Sequence, residues 1–277
     1  MSTTTIVVTS RNDGYGGNLE LRGSHALNTM IQHYDEVIYV DWNSPNDDSL
    51  INHLTLEGKE NLRHIQVKRS DIEKINPKLL ELPIVEVLGR NIGIRRAKSD
   101  WIVSSNIDIM PDELDTSNLE ENVFYAVARR NVPVPFFQSV EKDFFSYCKK
   151  NVNKFEQAYI IENEQWAGQY NPWSLVVCCG DYQLAHSSLW NRMKGFEERM
   201  IYRDCADTNV MKKGKIYGDD SRILDLDVFH LDHSGHEMKV GGKSLFNSWD
   251  EYVVNFENTF NEDSWGLVDY PFFEEII

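Results

Sequence analysis

Cysteine is scarce in this sequence, positive charge is short, and long apolar runs are missing. Each scarcity excludes something. The cysteines are Cys148, Cys178, Cys179 and Cys205, with no C-x-x-C pair among them. Adjacent Cys178 and Cys179 are not expected to bridge each other, and the four read as reduced thiols of a cytoplasmic protein. No stretch of about 18 apolar residues occurs, so no membrane span is expected. The apolar part of "MSTTTIVVTSRND" at the N-terminus is too short for the core of a signal peptide. Lysine and arginine number 28 against 44 acidic residues, a net charge of −16. Such a surface disfavours nucleic acid and anionic membranes as partners. It leaves room for a phosphorylated small molecule held by a few placed cations. No G-x-x-x-x-G-K-[ST] is present, which excludes a P-loop. No fixed-period repeat or low-complexity tract occurs.

What is present is enough apolar material for a substantial core: 41% of the 277 residues are hydrophobic and 12% aromatic. Up to about residue 110 the pattern alternates. "TIVVTS" (5–10), "EVIYVDW" (36–42), "RHIQVKR" and "DWIVSSNIDIM" read as strands. "LELRGSHALNTMIQHY" (19–34), "SLINHLTLEG" and "NIGIRRAKS" (91–99) read as helices. Alternation of this kind predicts an α/β fold with a mostly parallel sheet covered on both faces. Ligands of such sheets gather beyond the carboxyl ends of the strands. Arg11-Asn12-Asp13, Asp41 and Asn106/Asp108 all fall at strand ends and are expected to face one crevice. After residue 112 aromatics become dense. "SLVVCCGDYQLAH" (174–186) and "ILDLDVFHLDH" (223–233) read as the remaining strands.

Several motifs carry chemistry. "GYGGN" (14–18) follows a strand but matches G-x-G-x-x-G only in part, since Leu19 stands at the third glycine position. It reads equally as a reversing turn. Asp41 suits ribose hydroxyls or a base N–H, or a turn cap. Arg90 and Asn91 are expected just before a helix, where the guanidinium and free amides suit a diphosphate. Within a strand, Asn106 and Asp108 would share one side. Hard divalent cations take oxygen ligands, one or two of them carboxylates, with phosphates completing the shell. "VFHLDHSGHE" places His230, His233 and His236 at a strand end, and one imidazole is expected to reach the cleft. In "YRDCADTNVMKKG", Asp204 and Asp207 lie i, i+3 on one helix face, suited to a general base or to a helix start.

In order along the chain, these segments resemble the GT-A glycosyltransferases, specifically the family-2-like nucleotide-sugar enzymes. "EVIYVDWNSP" is similar to their second strand, ending in Asp41. "GRNIGIRRAKSDWIVSSNID" resembles their segment leading into the D-x-D strand, through Arg90, Asn91, Gly93, Ala97 and Trp101. "CCGDYQLAHSSLWNRMKGFEE" resembles their acceptor-side segment, and "VFHLDH" their late metal-binding histidine. The first D-x-D position is Asn106 here, and the usual Glu-Asp base motif is not intact.

The resemblance implies one GT-A (Rossmann-like) domain over residues 1–277. Residues 1–112 would bind the nucleotide sugar and 113–277 the acceptor. It implies transfer of a hexosyl or pentosyl unit, with inversion, from a nucleotide-diphosphate sugar such as a UDP-sugar to a hydroxyl of a glycan or other acceptor. Donor contacts would come from Thr9, Arg11, Asp13, Asp41, Arg90, Asn91 and Asn106. A Mn²⁺ or Mg²⁺ cofactor would sit on Asp108 with His230 or His233. Asp204 or Asp207 would be the base, and Asp181, Trp166, Trp173 and Tyr182 would meet the acceptor. Two other readings stay open: a sugar nucleotidyltransferase, and a nucleotide-sugar-binding protein without catalysis.

Overall fold

The computed structural model describes residues 2–139, 143–157, 180–201, 206–233 and 261–277. In chain order these form β1 (Thr4–Ser10), α1 (Leu19–His33), β2 (Glu36–Trp42), β3 (Leu62–Val67), α2 (Arg69–Ile75), α3 (Glu86–Arg96), β4 (Trp101–Asn106) and β5 (Ile109–Pro111). There follow β6 (Val123–Ala126), β7 (Arg130–Val132), α4 (Val134–Ser139), α5 (Phe144–Lys150), β8 (Glu156–Gln157), β9 (Tyr182–His186) and α6 (Ser187–Met193). The last are α7 (Ala206–Tyr217), β10 (Asp220–Ile223), β11 (Val228–Leu231) and β12 (Phe273–Ile276).

Among the described residues the main sheet has eight strands in the order β10-β6-β9-β4-β1-β2-β3-β12. β9 and β12 run antiparallel to their neighbours, and the other strands are parallel. The parallel strands read as near-unbroken apolar runs because both faces are covered. Ile6, Val8, Val37 and Tyr39 point into one core with Leu27 and Met30 of α1. Val7, Ile38 and Val40 point into the other with Val87 and Ile92 of α3. A smaller sheet, β5-β11-β7-β8, stands beside the carboxyl end of β4.

Two glycines set how closely α3 approaches the sheet. Gly89 and Gly93 are four apart, hence one above the other on one helix face. Thr9 and Val7 are two apart, hence on one strand face, and the two spacings match at about 6 Å. A Cβ on Gly89 would lie 2.3 Å from Thr9 Oγ1, and one on Gly93 would lie 2.3 Å from Val7 Cγ1. No side chain fits between helix and strand at these positions.

The structure departs from the sequence expectation in three places. "SLINHLTLEG" makes only a short 3₁₀ turn, Leu50–His53. Thr55 is tied to α1 instead, its N–H donating to Ser24 Oγ (3.0 Å) and its carbonyl accepting from Asn28 Nδ2 (2.9 Å). α3 begins at Glu86, a turn earlier than expected, so Arg90 and Asn91 lie inside it. The strand expected over 223–233 splits between the two sheets, as β10 and β11.

Candidate active site

β4 ends at Asn106, and the chain turns through Ile107 and Asp108 before entering β5 in the second sheet. Asn106 and Asp108 therefore do not share a strand face. The turn sends them to two different groups of partners.

Asn106 lines a pocket. The parallel strands β1, β2 and β4 end at the same edge of the sheet, and β9, running the other way, begins there, so Asp181 comes beside Asn106. Asn106 Nδ2 donates to Asp181 Oδ1 at 2.7 Å. Arg90 donates to Asn106 Oδ1, to Ser104 Oγ at 3.0 Å and to the Gly180 carbonyl at 3.2 Å. Arg129 Nη1 meets Asp181 Oδ2 at 2.5 Å. Arg90, Asn106, Gly180 and Asp181, with Glu86, Phe196 and Asp207, line a cavity of about 160 Å³. Asp207 is in the first turn of α7, where the Thr208 N–H donates to its Oδ1 at 2.8 Å. Burial pushes its pKa up. The Thr208 hydrogen bond and the charge of Arg90 pull it down, while Asp181 adds to the rise, and the net shift is upward.

Asp108 belongs to the second group. β11 pairs with β5 so that His230 stands opposite Ile109, and the Leu231 N–H donates to the Asp108 carbonyl at 2.9 Å. His230 Nε2 is then 3.9 Å from Asp108 Oδ2, and His233 Nε2 is 3.2 Å away. Alternation puts His230 and His233 on opposite sides of a continuous strand. Both reach Asp108 because β11 stops at Leu231. Arg22, fully buried, donates to the same Oδ2 at 2.8 Å. Burial works to raise the Asp108 pKa, but the His233 hydrogen bond and the charges of His230, Arg22 and His233 outweigh it, holding the carboxyl at about 2. The His230 pKa is lowered by burial, which favours the neutral imidazole that ligates metals.

One carboxylate oxygen and two imidazole nitrogens, all within 4.8 Å of one another, form a donor set for a divalent cation. Asp108 Oδ1, His230 Nδ1 and His233 Nδ1 are buried without hydrogen-bond partners, so polar capacity is left over for a ligand. The glycine loop closes against this group. Tyr15 packs edge-on to His233 with ring centroids 5.0 Å apart. Gly16, at φ +71°, leaves space for a Cβ only 2.7 Å from His233 Nδ1. Glycine alone fits both the conformation and the gap.

Comparison with solved structures finds the same architecture. GalNAc-T7, crystallised with UDP, GalNAc and Mn²⁺, is 9% identical with a TM-score of 0.52, over 92% of this chain and 48% of that one. This chain has a GT-A-type glycosyltransferase fold. TarS of S. aureus aligns at 14% identity and a TM-score of 0.46, over 83% of this chain and 37% of that one. The chain thus spans about half the length of GalNAc-T7 and little more than a third of TarS. No family model and no curated protein matches the sequence.

Within the GT-A fold, the remaining candidate residues fall into three sets. One borders the crevice at the ends of β1 and β2. The Asn12 N–H donates to Ser44 Oγ (2.9 Å), which donates to Asp41 Oδ1 (2.5 Å), so the two strand ends are tied together. Asp41 Oδ2 is buried and unpartnered, and burial raises its pKa. Asp13 accepts from the Tyr15 N–H at 3.1 Å and lies 3.7 Å from Arg11, whose Nη1 donates to the Pro83 carbonyl at 2.5 Å.

A second set holds the fold rather than facing the pocket. Thr9 Oγ1 donates to the Val40 carbonyl at 3.0 Å beneath Gly89. Asn91, inside α3, pins Phe196 by accepting its N–H (2.8 Å) and donating to its carbonyl (2.9 Å). Tyr182 is fully buried in β9, with its hydroxyl 2.8 Å from that of Tyr34. None of the three is among the residues that line the cavity. Arg90 does face the cavity, but the free amides of α3 lie a turn before it. The third set, Asp204, Trp166 and Trp173, lies outside the described residues, as does His236.

The sequence reasoning missed Arg22, Arg129 and Glu86. Arg22 had a signal: it stands three residues after Leu19 and four before Ala26, on the buried stripe of α1. A charged residue on such a stripe needs a partner.

Proposed function

We propose that this chain is a metal-dependent glycosyltransferase that takes a sugar from a nucleotide-diphosphate donor, a UDP-sugar, and passes it to a hydroxyl with inversion. The observation that carries this reading is the pairing of two carboxylate sites at one end of one sheet. A buried Asp108–His230–His233 cluster lies on one side of Asn106. A cavity holding Asp207, with its raised proton affinity, lies on the other. The UDP and Mn²⁺ of the similarly folded GalNAc-T7 structure support the choice of ligands.

Asp108, His230 and His233 would hold Mn²⁺ or Mg²⁺, which when bound supplies Lewis-acid neutralisation of the leaving diphosphate. Asp41, with its free Oδ2, accepts from the nucleoside. Asn106, fixed by Arg90 and Asp181, presents its amide to sugar or ribose hydroxyls. Asp207 accepts the proton of the acceptor hydroxyl as that oxygen bonds the anomeric carbon. The bond from that carbon to the phosphate oxygen breaks, and the nucleoside diphosphate leaves with the electron pair. A raised pKa suits this role, because a base poised nearer the working pH transfers protons more effectively.

The test is a panel of UDP-, GDP- and dTDP-sugars with and without Mn²⁺, followed by melting temperature and by release of nucleoside diphosphate. A donor at about 100 times its Kd adds about 2.7 kcal/mol, or roughly 5–10 °C for a chain of this size. Release of nucleoside diphosphate together with a glycosylated acceptor is the expected result. The reading is overturned if no nucleotide sugar shifts the melting temperature. Release of inorganic pyrophosphate would make the chain a nucleotidyltransferase. A shift without turnover would make it a binding protein.

A further inference from the structure

Arg22 stands beside the candidate metal centre but takes no part in the ligand set. Its side chain has no solvent exposure. Nη1 donates to Asp108 Oδ2 at 2.8 Å, Nε to the Gly17 carbonyl at 3.1 Å, and Nη2 to the Tyr15 carbonyl. Three acceptors in three directions, with burial on every side, leave the guanidinium no alternative place. Its Nη2 also lies 2.9 Å from where a Cβ on Gly16 would be, so the glycine loop is fitted around it. A cation arriving at Asp108 must therefore share that carboxylate with Arg22.

The charges then decide what else must bind. Arg22 and Asp108 cancel as a buried ion pair, and an imidazole that ligates a metal does so in its neutral form. A divalent cation added to this group leaves it with a net charge of about +2 in a buried site, which is costly unless an anion accompanies it. Asp108 Oδ1, buried and unpartnered, is the only oxygen of that carboxylate still free. A lone cation is thus offered half a carboxylate beside a fixed positive charge. A cation carrying a diphosphate meets two positive centres that its negative oxygens match.

We propose that Arg22 is the resident counter-cation of Asp108, a positioning residue that makes divalent-cation binding conditional on a diphosphate. This rests on the reading of Asp108, His230 and His233 as the metal centre, and deepens it. Arg22 weakens binding of the metal alone and strengthens binding of the metal–diphosphate pair. By linkage, metal and diphosphate each raise the affinity of the other by one and the same factor.

The experiment measures free Mn²⁺ by its electron paramagnetic resonance signal during titration of the full chain, without and with saturating UDP. The Mn²⁺–UDP complex formed in buffer alone is subtracted. Arg22→Met removes the charge and keeps the bulk, and Arg22→Gln removes the charge and keeps an N–H for Asp108 and the loop. In either variant Mn²⁺ alone should bind at least about tenfold tighter than in the wild type, since a unit charge a few ångströms away is removed. The factor by which UDP tightens Mn²⁺ should shrink by a similar amount. Unchanged or weaker binding of Mn²⁺ alone in a folded variant overturns the role of Arg22 while leaving the metal centre standing. No protein-bound Mn²⁺ in any form, with or without UDP, overturns the metal centre and Arg22 with it. Where neither variant folds, the wild type decides: tightening by UDP of less than about tenfold overturns the proposal, and a larger factor supports it.

Discussion

Asp207→Asn should lower activity and raise stability, and the opposite signs make it a demanding test. Asp207 Oδ1 accepts the Thr208 N–H at 2.8 Å, and an asparagine oxygen keeps that bond. Its Cβ sits over Gly180, where any added Cβ would come within 2.4 Å, and asparagine keeps that shape too. What the substitution removes is the charge and the basicity. General-base catalysis is worth about 10²- to 10⁴-fold, or about 2.7–5.5 kcal/mol of barrier. Nucleoside diphosphate release should fall by that factor, with little change in the melting shift caused by donor.

The stability side follows from the raised pKa. In the folded chain Asp207 holds its proton to higher pH than in the unfolded chain, where the reference is about 3.9. Above that reference the folded state binds more protons than the unfolded one, so raising the pH costs stability until the folded group has also ionised. Its ionised form at neutral pH is therefore a net cost, set by burial and by Asp181 against Thr208 and Arg90. Asparagine avoids that cost. Urea unfolding at pH 7.5 should show Asp207→Asn as the more stable form, with the difference closing toward pH 4. An activity loss under tenfold would refute Asp207 as the base. Lower stability of the variant at neutral pH would refute the electrostatic account and make the carboxylate a helix cap instead.

Asp108→Ala leaves Arg22 buried without its carboxylate and should cost about 3–5 kcal/mol in urea unfolding; a cost under about 1 kcal/mol would show that the pair is not needed. The same variant, if folded in the cold, should lose the effect of Mn²⁺ on melting. Gly93→Ala gains about 1 kcal/mol of helix propensity but places a methyl 2.3 Å from Val7 Cγ1, an overpacking worth about 1–3 kcal/mol. A net loss is expected, shrinking in a Val7→Ala background, and a more stable Gly93→Ala would contradict the close approach of α3.

The alternation of strands and helices up to β4 was legible because β-branched runs and turn residues mark it plainly. Which side chain faces what was not. A sheet buried on both faces has apolar residues at odd and even positions alike, so it carries no phase from which to read direction. Thr9 and Tyr182 were placed near ligands through the resemblance, and both are buried. Asn91 was read as preceding a helix because its start was set by "NIGIRR". The true start, Glu86, follows a Val85 cap position with no side-chain cap bond and so leaves little mark. Asp108 and the two histidines could be named because charged residues ending apolar strands are rare. Their meeting point depends on β11 pairing with β5 across more than a hundred residues, which no local pattern encodes. Arg22 went unnamed although its place on the apolar stripe of α1 was visible.

Asp108 and Asp207 are both buried carboxylates at the same end of the sheet, and their surroundings push them apart. Asp108 has Arg22 and two imidazoles around a single oxygen, and stays ionised down to about pH 2. Asp207 has Asp181 near it and less compensation, and its pKa rises. Asn106 stands between them, tied to Asp181 on the side of Asp207. An aspartate at 106 would set a further negative charge against Asp181 at the cavity wall and push Asp207 further up. The amide instead donates to Asp181 and accepts from Arg90 without adding charge. Two carboxylates with divergent pKa values are how one site keeps a permanent anion for a cation and a second group free to take a proton. Under the proposed reading, the neutral amide at 106 adds no further negative charge beside Asp207, so the proposed base is raised only by burial and Asp181.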